Sequence, residues 1–195
     1  MSSILKVDQL KDSGGNAIIT SDGAGNLTAG TIPAKTIGTG AVLQVVQDVQ
    51  KGAVTFSTGT YANALSLNIT PSSTSSKILI SWNVSCGVGS DDYGSLALFN
   101  GATEITGAKG TNGSGNQINA SNGISSPGGA GFNYVLQSIS NSFLDSPNTT
   151  SEINYIIKMK VNYGSAVYMN RIGETGNDTW NNNGISALTA YEIAG

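Results

Sequence analysis

A chain of 195 residues with 26 glycines, one cysteine and no histidine excludes several kinds of chemistry before any pattern is read. Without imidazole there is no histidine general base, no histidine metal ligand and no charge switch near neutral pH. Cys86 alone permits neither an intrachain disulfide nor a cysteine zinc cluster, and a net charge of -3 gives no basic footprint for nucleic acid.

Residues 1–40 form an arm of sparse apolar residues: Ile4, Leu5, Val7, Leu10, Ile18, Ile19, Leu27, Ile32 and Ile37. Strong turn signals separate them, Ser13-Gly14-Gly15-Asn16 and Asp22-Gly23-Ala24-Gly25-Asn26. Gly-Asn-Ala-Ile at 15–18 returns as Gly-Asn-Leu at 25–27, which reads as two short strand-and-turn units. Ile4, Val7 and Leu10 fit a helical turn, whereas Leu5 and Val7 also alternate as in a strand. One copy of this segment buries too little apolar surface to offset its ordering entropy, so the arm is expected to order against a partner.

From residue 41 the texture changes to short strands. Val42–Val49 and Val54–Phe56 are apolar-rich, and Leu65, Leu67 and Ile69 alternate with polar neighbours up to Pro71. Ile78, Ile80, Trp82, Val84 and Cys86 share one face, which places Trp82 and Cys86 in the core. Ser95–Phe99 leads through Asn100-Gly101, a hairpin signal, to Glu104-Ile105-Thr106. Alternation resumes from Phe132 through Tyr134, Leu136 and Ser138 to Phe143, is clearest from Ile153 to Val161, and closes in Ala166–Ile172 and Ile185–Ile193. The prediction is all-β: an antiparallel β-sandwich of jelly-roll type over residues 41–195, with an extended N-terminal arm over 1–40. The Gly/Asn-rich stretch 107–131 reads as a long exposed loop, or as a variable loop serving recognition.

Candidate chemistry is thin. Asp91-Asp92 reads as a solvated turn, because no further carboxylate follows at calcium-loop spacing. Gly107-Ala108-Lys109-Gly110 lacks the setting of a phosphate loop, and no serine sits in a nucleophile elbow. Glu104, Asp145, Glu152, Glu174 and Asp178 are the carboxylates from which a glycosidase pair would have to come, and no spacing brings two together. No catalytic residue, metal or cofactor is therefore expected. Trp180 lies in a polar loop with Asn181 and Asn182. Its ring there can stack on a sugar while the amides bond the hydroxyls, or can fold back over the sandwich end or a neighbouring subunit.

Four further phrases join Ser-Ser-Ile-Leu-Lys-Val-Asp-Gln-Leu at 2–10: Val42–Gln47, Ile69–Ile80, Leu144–Thr150 and Leu188–Ile193. Together they resemble the small virion surface proteins of marine and freshwater tailed bacteriophages, a group often labelled tail fibre. The resemblance implies a homotrimeric jelly-roll head similar in outline to tumour-necrosis-factor-like trimers, and no catalytic residues. It also implies virion localisation on the exterior after assembly in the host bacterial cytoplasm. The N-terminus lacks the basic-then-apolar plan of a secretory signal and no window approaches the roughly 18–20 apolar residues of a membrane span, so no leader and no membrane insertion are expected. Ile4, Leu5, Val7, Leu10, Ile18, Ile19 and Leu27 would then anchor the arm on the major capsid protein or on tail or adaptor proteins. Tyr191 and Ile193 would bury apolar faces between subunits. Capsid decoration is preferred because no heptad shaft or long repeat is present. The alternative is a short tail fibre or tail appendage that binds a host-surface glycan.

Overall fold

The computed structural model describes residues 9–21, 23–24, 27–29, 38–111, 114–126, 132–174, 176, 178–179 and 181–195. Chain contacts divide it between Ala41 and Val42 into two compact units. In the first, β1 (Gln9–Lys11), β2 (Ala17–Ser21) and β3 (Leu27–Ala29) form an antiparallel meander. Its first turn is set by Asp12, whose carboxylate accepts the backbone N–H of Gly14 and of Asn16, both at 2.9 Å.

The second unit contains β4 (Val42–Gln50), β5 (Val54–Phe56), β6 (Ala62–Ile69), β7 (Lys77–Val88), β8 (Tyr93–Asn100) and β9 (Thr103–Glu104). After these come β10 (Asn122–Ser125), β11 (Gln137–Asp145), β12 (Ile153–Tyr163), β13 (Val167–Met169) and β14 (Ser186–Ile193). Residues 78–83 of β7 pair with both β11 and β14, which places those strands on opposite sides of it. One sheet thus runs β4-β14-β7-β11, with β13 pairing residues 86–88 at the end of β7 on the β14 side and β5 pairing β13 outside it. The other runs β10-β8-β12-β6, with β9 continuing the β10 edge. Among the eight principal strands the first pairs with the last, β4 with β14. Inside that pair lie β6 with β12, β7 with β11 and β8 with β10, all antiparallel. This nested pairing is a jelly roll, as the alternation predicts.

The core lies between the two inner faces, where Leu65, Ile80, Trp82, Leu98, Ile157 and Leu188 are all buried. Trp82 and Cys86 belong to it, as their face predicts. Burial pushes the Cys86 thiol up to about 12.

Three local expectations are corrected. The stretch 107–131 is not simply an exposed loop. Asn122–Ser125 adds a strand to the sheet edge, with Ile124 only 1% exposed and Asn122 accepting the Trp82 indole N–H at 3.1 Å. Phe132–Tyr134 is a 3-10 turn, so the alternation from Phe132 does not start a strand, and β11 begins at Gln137 with Ile139 and Phe143 facing the core. Asp92 is buried rather than solvated, because its carboxylate accepts the backbone N–H of Ser165 at 2.7 Å. Gly164, at φ +91°, makes that approach feasible, since a side chain there would collide with the carboxylate.

Candidate functional site

A cleft of about 700 Å³ opens between the β9 edge of one sheet and the end of β11 in the other. The Asn100-Gly101 turn returns the chain so that Glu104 pairs with Phe99, and a 3-10 turn over Thr106–Ala108 forms one wall. The pairing of β11 with β7 sets Phe143 beside Ile80 and Asp145 beside Ile78, forming the other wall. Thr103, Thr106, Thr149 and Asn100 supply hydroxyl and amide groups, while Pro147 and Gly107 complete the lining.

Two of the five carboxylates singled out from sequence therefore share this cleft. Glu104 Oε2 accepts from the Lys109 ammonium at 2.8 Å, whereas its Oε1 is buried and accepts nothing from the described residues. Asp145 accepts the Tyr155 hydroxyl at 2.6 Å and the Ser146 N–H at 2.9 Å. Tyr155 is itself buried, and burial together with Asp145 raises its phenol far above the usual value. Glu152 stands apart, accepting from the Asn68 amide at 3.1 Å.

A smaller cleft of about 190 Å³ lies in the excursion between β13 and β14 and gathers the other two carboxylates, Glu174 and Asp178. Asn181 and Asn182 line it with Asn183 and Arg171. The excursion is closed by an isolated bridge between Arg171 and Asn183. Asn181 donates its backbone N–H to the Asp178 backbone carbonyl at 3.1 Å and its side-chain amide to the Gly176 carbonyl. The Arg171 guanidinium rests 4.3 Å above the Tyr168 ring. Trp180 lies outside the described residues.

Of the arm residues singled out, Ile4, Leu5 and Val7 also lie outside the described residues. Leu10 and Ile19 are cross-strand partners in the small sheet and both are exposed, at 52% and 37%. Ile18 and Leu27 fall on β2 and β3.

The outer faces of the sandwich differ in chemistry. On the β10-β8-β12-β6 sheet, Tyr61 meets Phe99 edge-on at 5.3 Å, Lys158 lies 4.4 Å over Phe99 and Lys160 lies 4.7 Å over Tyr61. These ammoniums cover the rings while their stems pack along the sheet. On the opposite sheet, register aligns Leu144, Leu79, Tyr191 and Val45 in one row across all four strands. The next row is polar: Ser142, Ser81, Thr189 and Gln47. Leu144 and Val45 are about half exposed, so this apolar row is left partly uncovered beside the polar one.

No protein-family model matches the chain, and no curated protein sequence matches it. Among solved structures the chain is similar to the VP2 subviral particle of infectious bursal disease virus, at 13% identity and a TM-score of 0.35. The match covers 78% of this chain and 38% of that one, so this chain spans well under half of the VP2 length.

Proposed function

We propose that the protein is a non-enzymatic structural component of a tailed-phage virion, a homotrimer displayed on the capsid exterior and held there by residues 1–40. Its virion setting rests on the sequence phrases at 2–10, 42–47, 69–80, 144–150 and 188–193. The observation that carries assembly is the apolar row Leu144–Leu79–Tyr191–Val45 on the outer face of a complete sandwich. A sheet face designed for water would continue the polar Ser142–Ser81–Thr189–Gln47 row beside it, and each apolar side chain fully buried there contributes roughly 1.5–3 kcal/mol. A second copy of the chain is the occupant that cyclic closure provides. The arm follows the same logic, since Leu10 and Ile19 leave a shared apolar surface open.

Catalysis is not the favoured use of the larger cleft. Glu104 is tied to Lys109 and Asp145 to Tyr155, an arrangement that fixes both carboxylates as acceptors. The two clefts do favour a second reading, a tail appendage that binds a host-surface glycan. Density for intact particles tests the first reading, and many copies on capsid lattice points are the expected result. Copies confined to the tail, or a monomer on sedimentation at micromolar concentration, would overturn it.

A further inference from the structure

We infer that the cleft between Glu104 and Asp145 is a binding subsite for a neutral sugar ring. The inference deepens the glycan-binding reading, and it stands or falls independently of where on a virion the protein sits. A volume of about 700 Å³ lies within the ordinary range for small-ligand pockets, which is roughly 300–1,000 Å³.

The chemistry of the walls selects the ligand. Glu104 lines the cleft with its Oε2 shared with Lys109, and its Oε1, buried in this side-chain position, accepts no hydrogen bond from the described residues. Asp145 receives one hydrogen bond on each oxygen, from Tyr155 and Ser146, and each oxygen retains capacity for a second. The threonine hydroxyls and the Asn100 amide can donate as well as accept. A matching ligand therefore brings several O–H donors on a compact frame, which a sugar does.

An anionic ligand would face two carboxylates against the single Lys109 ammonium. A metal ion is a poorer match than a polyol. Among the described residues no three acidic, histidine or cysteine side chains converge, and the cleft is far larger than one ion. The Phe143 ring offers an apolar surface for the C–H face of a sugar. Gly107 lies close to the edge of that ring, since a Cβ at this position would lie 3.2 Å from Phe143 Cζ.

The test is an amide-resolved NMR titration of the full-length protein with free glucose, galactose, mannose, N-acetylglucosamine and fucose. Glucuronate and calcium chloride serve as separate arms. The expected result is saturable shifts at Thr106 and Gly107 with at least one neutral sugar. Binding should weaken at least about tenfold in both Glu104→Gln and Gly107→Val, with the amide spectrum of each variant confirming that it is folded. Gly107→Val crowds the Phe143 side of the cleft and keeps both carboxylates in the chain, so agreement between the two variants separates blocked binding from lost charge. The inference is overturned if no neutral sugar gives a saturable response there, or if both variants bind as the parent does. Tighter binding of glucuronate, or the same shifts from calcium alone, would also overturn it. None of these outcomes alters where intact particles carry the protein.

Discussion

Glu192 illustrates how single polar residues hold this sandwich together. It is 1% exposed on β14, facing inward, and it accepts the backbone N–H of Ser72 (2.7 Å) and the hydroxyls of Ser72 (2.6 Å) and Ser76 (2.7 Å). The Gln44 amide completes the set at 2.7 Å. Burial pushes the Glu192 carboxyl upward, but these hydrogen bonds outweigh it and hold the group below its ordinary 4.5. A depressed native pKa stabilises the fold fully above the unfolded value, and that contribution is lost as pH falls through the native one. Melting temperature should accordingly decline as pH drops below about 4.5, and less steeply in Glu192→Gln. At neutral pH the same variant should be destabilised by about 1–3 kcal/mol, because its new N–H₂ meets donors. Denaturant titration at the two pH values checks both statements.

Asn170 is a second such residue, fully buried at φ +62°. Its amide donates to the Gln50 carbonyl at 2.7 Å and the Gly52 carbonyl at 3.0 Å, and its oxygen accepts the Ser186 hydroxyl at 2.6 Å. Asn170→Ala should cost roughly 2–4 kcal/mol by chemical denaturation, since three buried bonds are lost and alanine tolerates the left-handed backbone poorly. Cys86, wholly buried with its thiol held at about 12, should resist alkylation at pH 8 in the native protein and react on unfolding. Rapid native labelling would contradict that burial. The burial of Cys86 was legible from its alternating face, but the roles of Asn170 and Glu192 were not: an Asn after a strand and a Glu near a strand end look like solvent-facing polar residues.

At the scale of elements, register decides what each face presents. Val45, Tyr191, Leu79 and Leu144 come from four separated segments, and only the pairing of β4, β14, β7 and β11 aligns them. Val45→Lys and Leu144→Lys should each shift the assembled protein towards monomer with little change in monomer stability, because both sites are half exposed. Sedimentation velocity measures the shift, and an unchanged trimer would exclude this face from the contact. Strands with strong alternation, Ile78–Cys86 and Ile153–Val161, were legible because each repeats an apolar residue every second position. The strand Asn122–Ser125 was not, since Asn-Gly-Ile-Ser contains one large apolar residue and only its pairing with β8 makes it regular. The carboxylate pair of the larger cleft was hidden likewise. Glu104 and Asp145 are 41 positions apart in the chain and meet through the stacking of two sheets.

For the whole molecule, the nested pairing leaves the jelly roll with its own core, and its hydrogen-bonded ladders draw on residues 42–193. Removal of residues 1–40 should leave its melting temperature within about 2–4 °C of the intact chain while abolishing attachment to particles. Calorimetry and particle pull-down measure the two effects, and a truncated chain that still loads would reassign the anchor. The sequence by itself determined the all-β class, the alternating core faces and the absence of histidine chemistry, because periodicity and composition are local properties. Tertiary structure alone decided which strands are neighbours, which carboxylates share a cleft and which apolar residues remain uncovered. Those outcomes depend on register between distant segments, and a two-residue slip would keep every side chain on its face while moving each to a different partner.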